Sequence, residues 1–127
     1  MPNQFTRHYT PEEARALLPQ VHEWLGQLTG LRGELVRLDQ NLAELLSVGQ
    51  DIGGPAVKEW LTVLVSVKQI LNEFRNREIQ IKDLDRGLVD FPALREGREV
   101  FLCWEQGEDD IEFWHELDTG YAGRERL

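Results

Sequence analysis

Cysteine is all but missing: Cys103 is the single one in 127 residues. A lone thiol closes no internal disulfide, which excludes the small disulfide-stapled secreted scaffolds and fits a reducing, cytoplasmic setting. Long apolar runs are missing too. No stretch reaches the roughly 18 apolar residues of a spanning helix, and Met1 to Thr10 has no apolar signal core. Positive charge is scarce, with 14 Lys and Arg against 23 Asp and Glu and a formal net charge of −9. Such a chain repels phosphate backbones and anionic lipid, so neither nucleic acid nor membrane is expected as a partner. Divalent cations and basic proteins stay open. The sequence contains no nucleophile elbow, phosphate loop, dinucleotide fingerprint, zinc-finger spacing or His-Glu-x-x-His string.

What is present suits one soluble domain over residues 1–127. Hydrophobic residues make up 41% and charged residues 29%, ordinary values for a globule. A chain of this length buries roughly two-thirds of its unfolded surface. The order of patterns predicts an α+β fold: a long antiparallel helical hairpin over 11–78, coiled-coil-like, and then a small antiparallel sheet over 79–127.

Phe5 to Tyr9 reads as an edge strand. Thr10-Pro11-Glu12-Glu13 is a capping box: Thr10 can cap, Pro11 fits the first helical position, and Glu13 can reach back to the free amide. Pro19 predicts a kink or a fresh start near Leu18, then helix to about Ser47. Leu17, Val21, Trp24, Leu28, Leu31, Leu35, Leu38, Leu42 and Leu45 alternate steps of four and three, a heptad seam. Gly49, Gly53, Gly54 and Pro55 break it. Val57, Trp60, Leu64, Val67, Leu71 and Phe74 form a second seam, and each arm reaches roughly 35–40 Å. Leu61, Val63, Val65 and Ile70 lie off that seam, an apolar surplus that needs a further cover. Gly26, Gly30 and Gly33 lie nearly opposite the first seam, as a weak solvent face or a place of close approach.

From Glu78 the period becomes two. Ile79 to Lys82 and Leu88 to Phe91 read as strands, the second stopped by Pro92, with Glu96-Gly97 a turn. Glu99 to Glu105 and Ile111 to Glu116 read as a hairpin around Gly107. Asp83 to Leu88 is echoed by Glu116 to Tyr121: acid, leucine, aspartate, any residue, glycine, apolar. The echo reads as two copies of one turn.

Polar residues that could carry chemistry crowd the last third. Pairing Glu105 with Ile111 sets Cys103 opposite Phe113 and His115 diagonal to Cys103, at roughly 7–8 Å. A register two residues tighter sets Glu99 against His115 instead. Glu99, Cys103, His115 and Glu116 are therefore candidate ligands for a divalent metal, zinc or manganese; the alternative is a buried core thiol and a histidine satisfied by hydrogen bonds. Asp83, Asp85, Asp90, Trp104, Trp114 and Arg124 are candidate ligand-binding residues. Against that, each aspartate can cap its own turn, both tryptophans can be core, and Arg124 can be solvated.

Lys82-Asp83-Leu84-Asp85-Arg86-Gly87-Leu88-Val89-Asp90-Phe91-Pro92 is a distinctive string. So are Gly97 to Trp104, Trp114-His115-Glu116 and Gly120-Tyr121-Ala122-Gly123-Arg124. With Tyr9 to Ala14 and Leu17-Leu18-Pro19, they resemble the prokaryotic "domain of unknown function 2203" family over nearly the whole chain. The resemblance implies a small stand-alone bacterial protein and brings no activity or cofactor. Two functions compete on the residues. The apolar surplus favours a non-enzymatic interaction or scaffold protein acting as a homodimer. The polar crowding favours a metal- or small-ligand-binding protein, including a hydrolase.

Overall fold

The computed structural model describes residues 2–49 and 54–127. Two helices, α1 (Pro11–Ser47) and α2 (Pro55–Asn76), precede a meander of β1 (Gln80–Asp83), β2 (Leu88–Arg95), β3 (Arg98–Glu105), β4 (Phe113–Glu116) and β5 (Glu125–Arg126). The strands lie side by side in chain order, every pair antiparallel. The architecture is the expected α+β arrangement, with the two helices packed together.

Thr10 starts α1 with both halves of the capping box: its hydroxyl accepts from the Glu13 amide, and the Glu13 carboxylate accepts from the Thr10 amide. The helix then runs 37 residues through Pro19, about 55 Å, instead of restarting at Leu18. Pro19 and Arg15 are both exposed, so water can reach the carbonyl the proline leaves free. The glycine stripe meets nothing of its own chain: a Cβ at Gly26, Gly30 or Gly33 would find open space. Of the loop glycines, Gly53 lies outside the described residues.

The α2 seam is shifted from the heptad reading. Val63 is buried and Ile70 packs on the core, while Leu71 points outward. A straight helix drifts about 20° per heptad, which carries position 71 off the contact line and position 70 onto it. Trp24 is core, edge-on to Phe74. Trp60 is half-buried and donates to Asp39 at 2.9 Å. The helix ends in a Schellman motif: the Ile79 amide reaches the Phe74 carbonyl, the Glu78 amide reaches that of Arg75, and Glu78 sits at φ +58°.

Phe5 to Tyr9 forms a strap, not a strand. Its amides go to side chains: Glu78 takes those of Thr6 and Arg7, and Glu99 takes those of Gln4 and Phe5. Only Tyr9 reaches the sheet backbone, through the Pro92 carbonyl. That contact belongs to a second difference. β2 continues through Pro92 to Arg95, because β1 covers β2 only as far as Asp90. Beyond it that edge of β2 needs no ladder donor, so proline is tolerated.

Strand alternation gives the sheet two faces. Val89, Phe91, Ala93, Val100, Leu102, Trp104 and Trp114 face the helices and join Val21, Leu25, Leu28 and Phe74 in one core. The other face carries Leu88, Asp90, Pro92, Phe101, Cys103 and His115, and it too is buried. α1 and α2 pack on the opposite face; here the strap covers one end, with Phe5 edge-on to Phe101, and the segment after β4, with its 3-10 turn at Tyr121–Gly123, covers the other. Among the described residues no helix is long and apolar enough to cross a membrane.

Candidate metal centre

Three neighbouring strands each place one ligand-type side chain on that outer face. The two-residue turn Glu96-Gly97 pairs Arg95 with Arg98, and counting inward sets Asp90 directly across from Cys103. On the other side Cys103 pairs with Phe113 and Phe101 with His115, the more open of the two registers considered above. The result is a carboxylate, a thiol and an imidazole, each about 1% exposed, whose ligand atoms all lie within 4.8 Å of one another.

The details suit a cation. His115 Nδ1 stands 2.6 Å from the Glu116 carbonyl, which can only accept, so Nδ1 carries the proton and Nε2 is turned inward. Nε2 lies 3.0 Å from Asp90 Oδ2, while Asp90 Oδ1 is buried without a partner. A bare Nε2 facing a carboxylate oxygen sets lone pair against lone pair. A proton or a metal ion between them resolves that conflict. Two ligands of one tetrahedral ion, each about 2.0–2.3 Å out with the thiolate the longest, stand about 3.3–3.8 Å apart, so the trio would close on an ion with shifts of about an ångström.

Without an ion, the thiol and the imidazole are both shifted toward their protonated forms. Burial, and then the charge of Asp90, push the Cys103 thiol far above its ordinary range, against the opposing pull of Arg124. Burial by itself would lower the His115 imidazole. Its hydrogen bonds to Asp90 and to the Glu116 carbonyl, with Asp90's charge, outweigh that and raise it. A bound divalent cation reverses this logic, favouring thiolate and neutral imidazole.

A cleft of about 290 Å³ opens onto the trio, walled by Lys82, Leu88, Leu117, Asp118, Thr119 and Tyr121. The echoed turns meet near its mouth. Gly87 and Gly120 take φ +64° and +67°, and the Arg86 guanidinium stacks 4.2 Å from the Tyr121 ring.

The other residues singled out from the sequence go elsewhere. Glu99 shares the face, but its oxygens take the Gln4 and Phe5 amides and His8 Nε2 at 2.8 Å. Glu116 pairs with Arg98 at 2.7 Å and gives the site only its main-chain carbonyl. Asp83 caps its own turn through the Arg86 amide, and Asp85 pairs with Arg32 of α1. Trp104 and Trp114 belong to the core. Trp104 donates to the Glu108 carbonyl, and Trp114 borders a separate 330 Å³ hollow on the helix side. Arg124 is held rather than solvated, 2.5 Å from Glu108 and 3.8 Å over Phe113. Lys82 was not singled out from the sequence; its place at the register shift between Ile81 and Asp83 is what brings it to the cleft.

The fold and site define a class: an α+β protein with a buried carboxylate–thiol–imidazole trio on the sheet face away from its helices. The chain belongs to the family described as "Uncharacterized conserved protein (DUF2203)", whose model matches residues 7–127. No curated protein and no solved structure matches it.

Proposed function

We propose that this protein binds a divalent transition metal, zinc by first preference, through Asp90, Cys103 and His115. The observation that carries the reading is the orphaned Asp90 Oδ1, buried beside an inward-facing His115 Nε2 and a buried thiol. A carboxylate, a thiolate and an imidazole suit zinc better than magnesium or calcium, which want several oxygens. Three protein ligands with a cleft above them match the pattern in which zinc keeps a position for water or substrate. The Glu116 carbonyl supplies the outer hydrogen bond that orients a metal-ligating histidine.

Elemental analysis and zinc titration of the purified protein test this. The expected result is one zinc per chain and a higher unfolding temperature. Zinc at a hundred times its Kd adds about 2.7 kcal/mol to unfolding. Asp90→Asn, Cys103→Ser and His115→Ala each lose the response while keeping the helical circular-dichroism signal. Folded wild type that takes up no zinc, cobalt or manganese would refute the proposal.

A second reading concerns a partner, and a separate observation favours it. The outer side of α2 leaves Leu61, Val65 and Leu71 at 48%, 52% and 43% exposure, and α1 adds Val36 and Leu46. A helix with that much apolar surface facing outward suits pairing with a second copy of the chain. Metal binding and pairing are compatible, since the helices and the trio lie on opposite sides of the sheet.

A further inference from the structure

We infer that the cleft above the trio takes a small oxyanion, a carboxylate or a phosphate, held by Lys82 beside the metal. This rests on the metal reading and adds the class of ligand that completes the site.

β1 and β2 pair Gln80 with Asp90 and Ile81 with Val89, but next Asp83 with Leu88, so Lys82 is an extra residue in a bulge. Bulges redirect side chains and gather beside functional sites. Lys82 lines the cleft with its ammonium 5.0 Å from the centre of the Phe101 ring, and that ring lies 5.5 Å from His115.

The placement of Lys82 then indicates the ligand. Two other cations stack on Tyr121 of the cleft wall: Arg86 pairs with Glu105, and Arg124 pairs with Glu108 through Nη2 while its Nε is buried without a partner. Among the described residues no carboxylate pairs with Lys82. A divalent ion held by the Asp90 carboxylate and the Cys103 thiolate is electrically neutral with its ligands, and the cleft above adds one ammonium, Lys82, and one carboxylate at its rim, Asp118. A small oxyanion can take the open position on the ion and the ammonium of Lys82 together. Asp118, exposed at the rim, excludes nothing this small but opposes more highly charged anions. The cleft of about 290 Å³ is at the lower end for small-molecule sites, which again limits the ligand's size.

Cobalt supplies a visible probe of the first coordination shell. Protein loaded with Co²⁺ is titrated separately with acetate and with inorganic phosphate, in wild type and in Lys82→Met. The expected result is a saturable change in the cobalt absorption bands of wild type, with the anion bound about tenfold more weakly by Lys82→Met, the loss of one charge-assisted contact. The two variants bind Co²⁺ alike in the absence of anion. The stronger of the two titrations decides between a carboxylate and a phosphate ligand. Failure of wild type to bind Co²⁺ overturns the metal reading and this inference with it. Co²⁺ binding with bands that neither anion alters, or equal anion affinity in Lys82→Met, overturns this inference alone.

Discussion

At the scale of single residues, the local backbone decides which positions accept change. Gly87 closes the first of the echoed turns at φ +64°, and a Cβ there would come within 2.6 Å of the Gln106 side chain. Gly26 sits mid-helix with open space around it. Gly87→Ala should therefore cost about 1–3 kcal/mol, from the strained φ and the contact together. Gly26→Ala should add up to about 1 kcal/mol, because alanine is the better helix former. Urea unfolding of the two variants measures both. Equal signs for the pair would contradict the turn and helix placements together. The same scale explains why Cys103 is legible only in part. A buried lone cysteine reads as a small core residue, and it becomes a ligand only through what Asp90 and His115 set beside it.

At the scale of elements, two carboxylates fasten the strap that covers the outer face. Glu78 accepts from the Thr6 amide, the Thr6 hydroxyl and the Arg7 amide, contacts that hold its carboxyl below the usual range. Burial would raise the Glu99 carboxyl, but His8 and the Gln4 and Phe5 amides outweigh that and lower it. A lowered folded pKa means the ionised form is favoured by folding. The stabilisation is complete above the ordinary carboxyl value of 4.5 and is lost as pH falls through the depressed folded values. Hydrogen exchange at the Thr6 and Arg7 amides should therefore lose protection below about pH 4.5, before the core strands do. Glu78→Gly makes a sharper case. It relaxes the φ +58° position that ends α2, yet it should release the strap amides at neutral pH. Unchanged protection in Glu78→Gly would mean that something other than this carboxylate holds the strap. β2 and β3 carry the complementary lesson: their two-residue turn at Glu96-Gly97, at φ +54° and +77°, fixes the pairing of Asp90 with Cys103. That register could be counted from the turn, but reading a stop at Pro92 hid it. Only the short reach of β1 shows why proline is harmless there.

At the scale of the whole molecule, the sheet separates two kinds of surface. One side is committed to the helices and their core. The other holds the trio beneath a strap and a terminal segment, both light coverings that leave a cleft between them. The outward side of α2 is a third surface, and its apolar residues lead to a definite expectation for the proposed pairing. Light scattering on dilute protein should give twice the chain mass, and Leu61→Glu with Val65→Glu should return it to the monomer value without loss of helix. A wild type that scatters as a monomer would remove the second reading and leave the metal site untouched, because no residue of the trio lies on the helices.

The sequence by itself determined the order and kind of the main elements, α1, α2 and β1 to β4, but neither the strap at Phe5 to Tyr9 nor β5. Heptad spacing up to Phe74 and two-residue alternation after Glu78 are local periodicities, and each can be satisfied in only one way: as a helix burying a stripe, or as a strand burying a face. It also determined the turns, because glycine at positive φ and a capping box act within a few residues. Tertiary structure alone decided which acids met the thiol and the imidazole. Glu99 and Glu116 lie close to Cys103 and His115 in sequence and on neighbouring strands, yet one is taken by the strap and the other by Arg98. Asp90, thirteen residues before Cys103, arrives by strand pairing. Such meetings depend on register, and on competition among hydrogen-bond partners from distant parts of the chain. No local pattern encodes that competition.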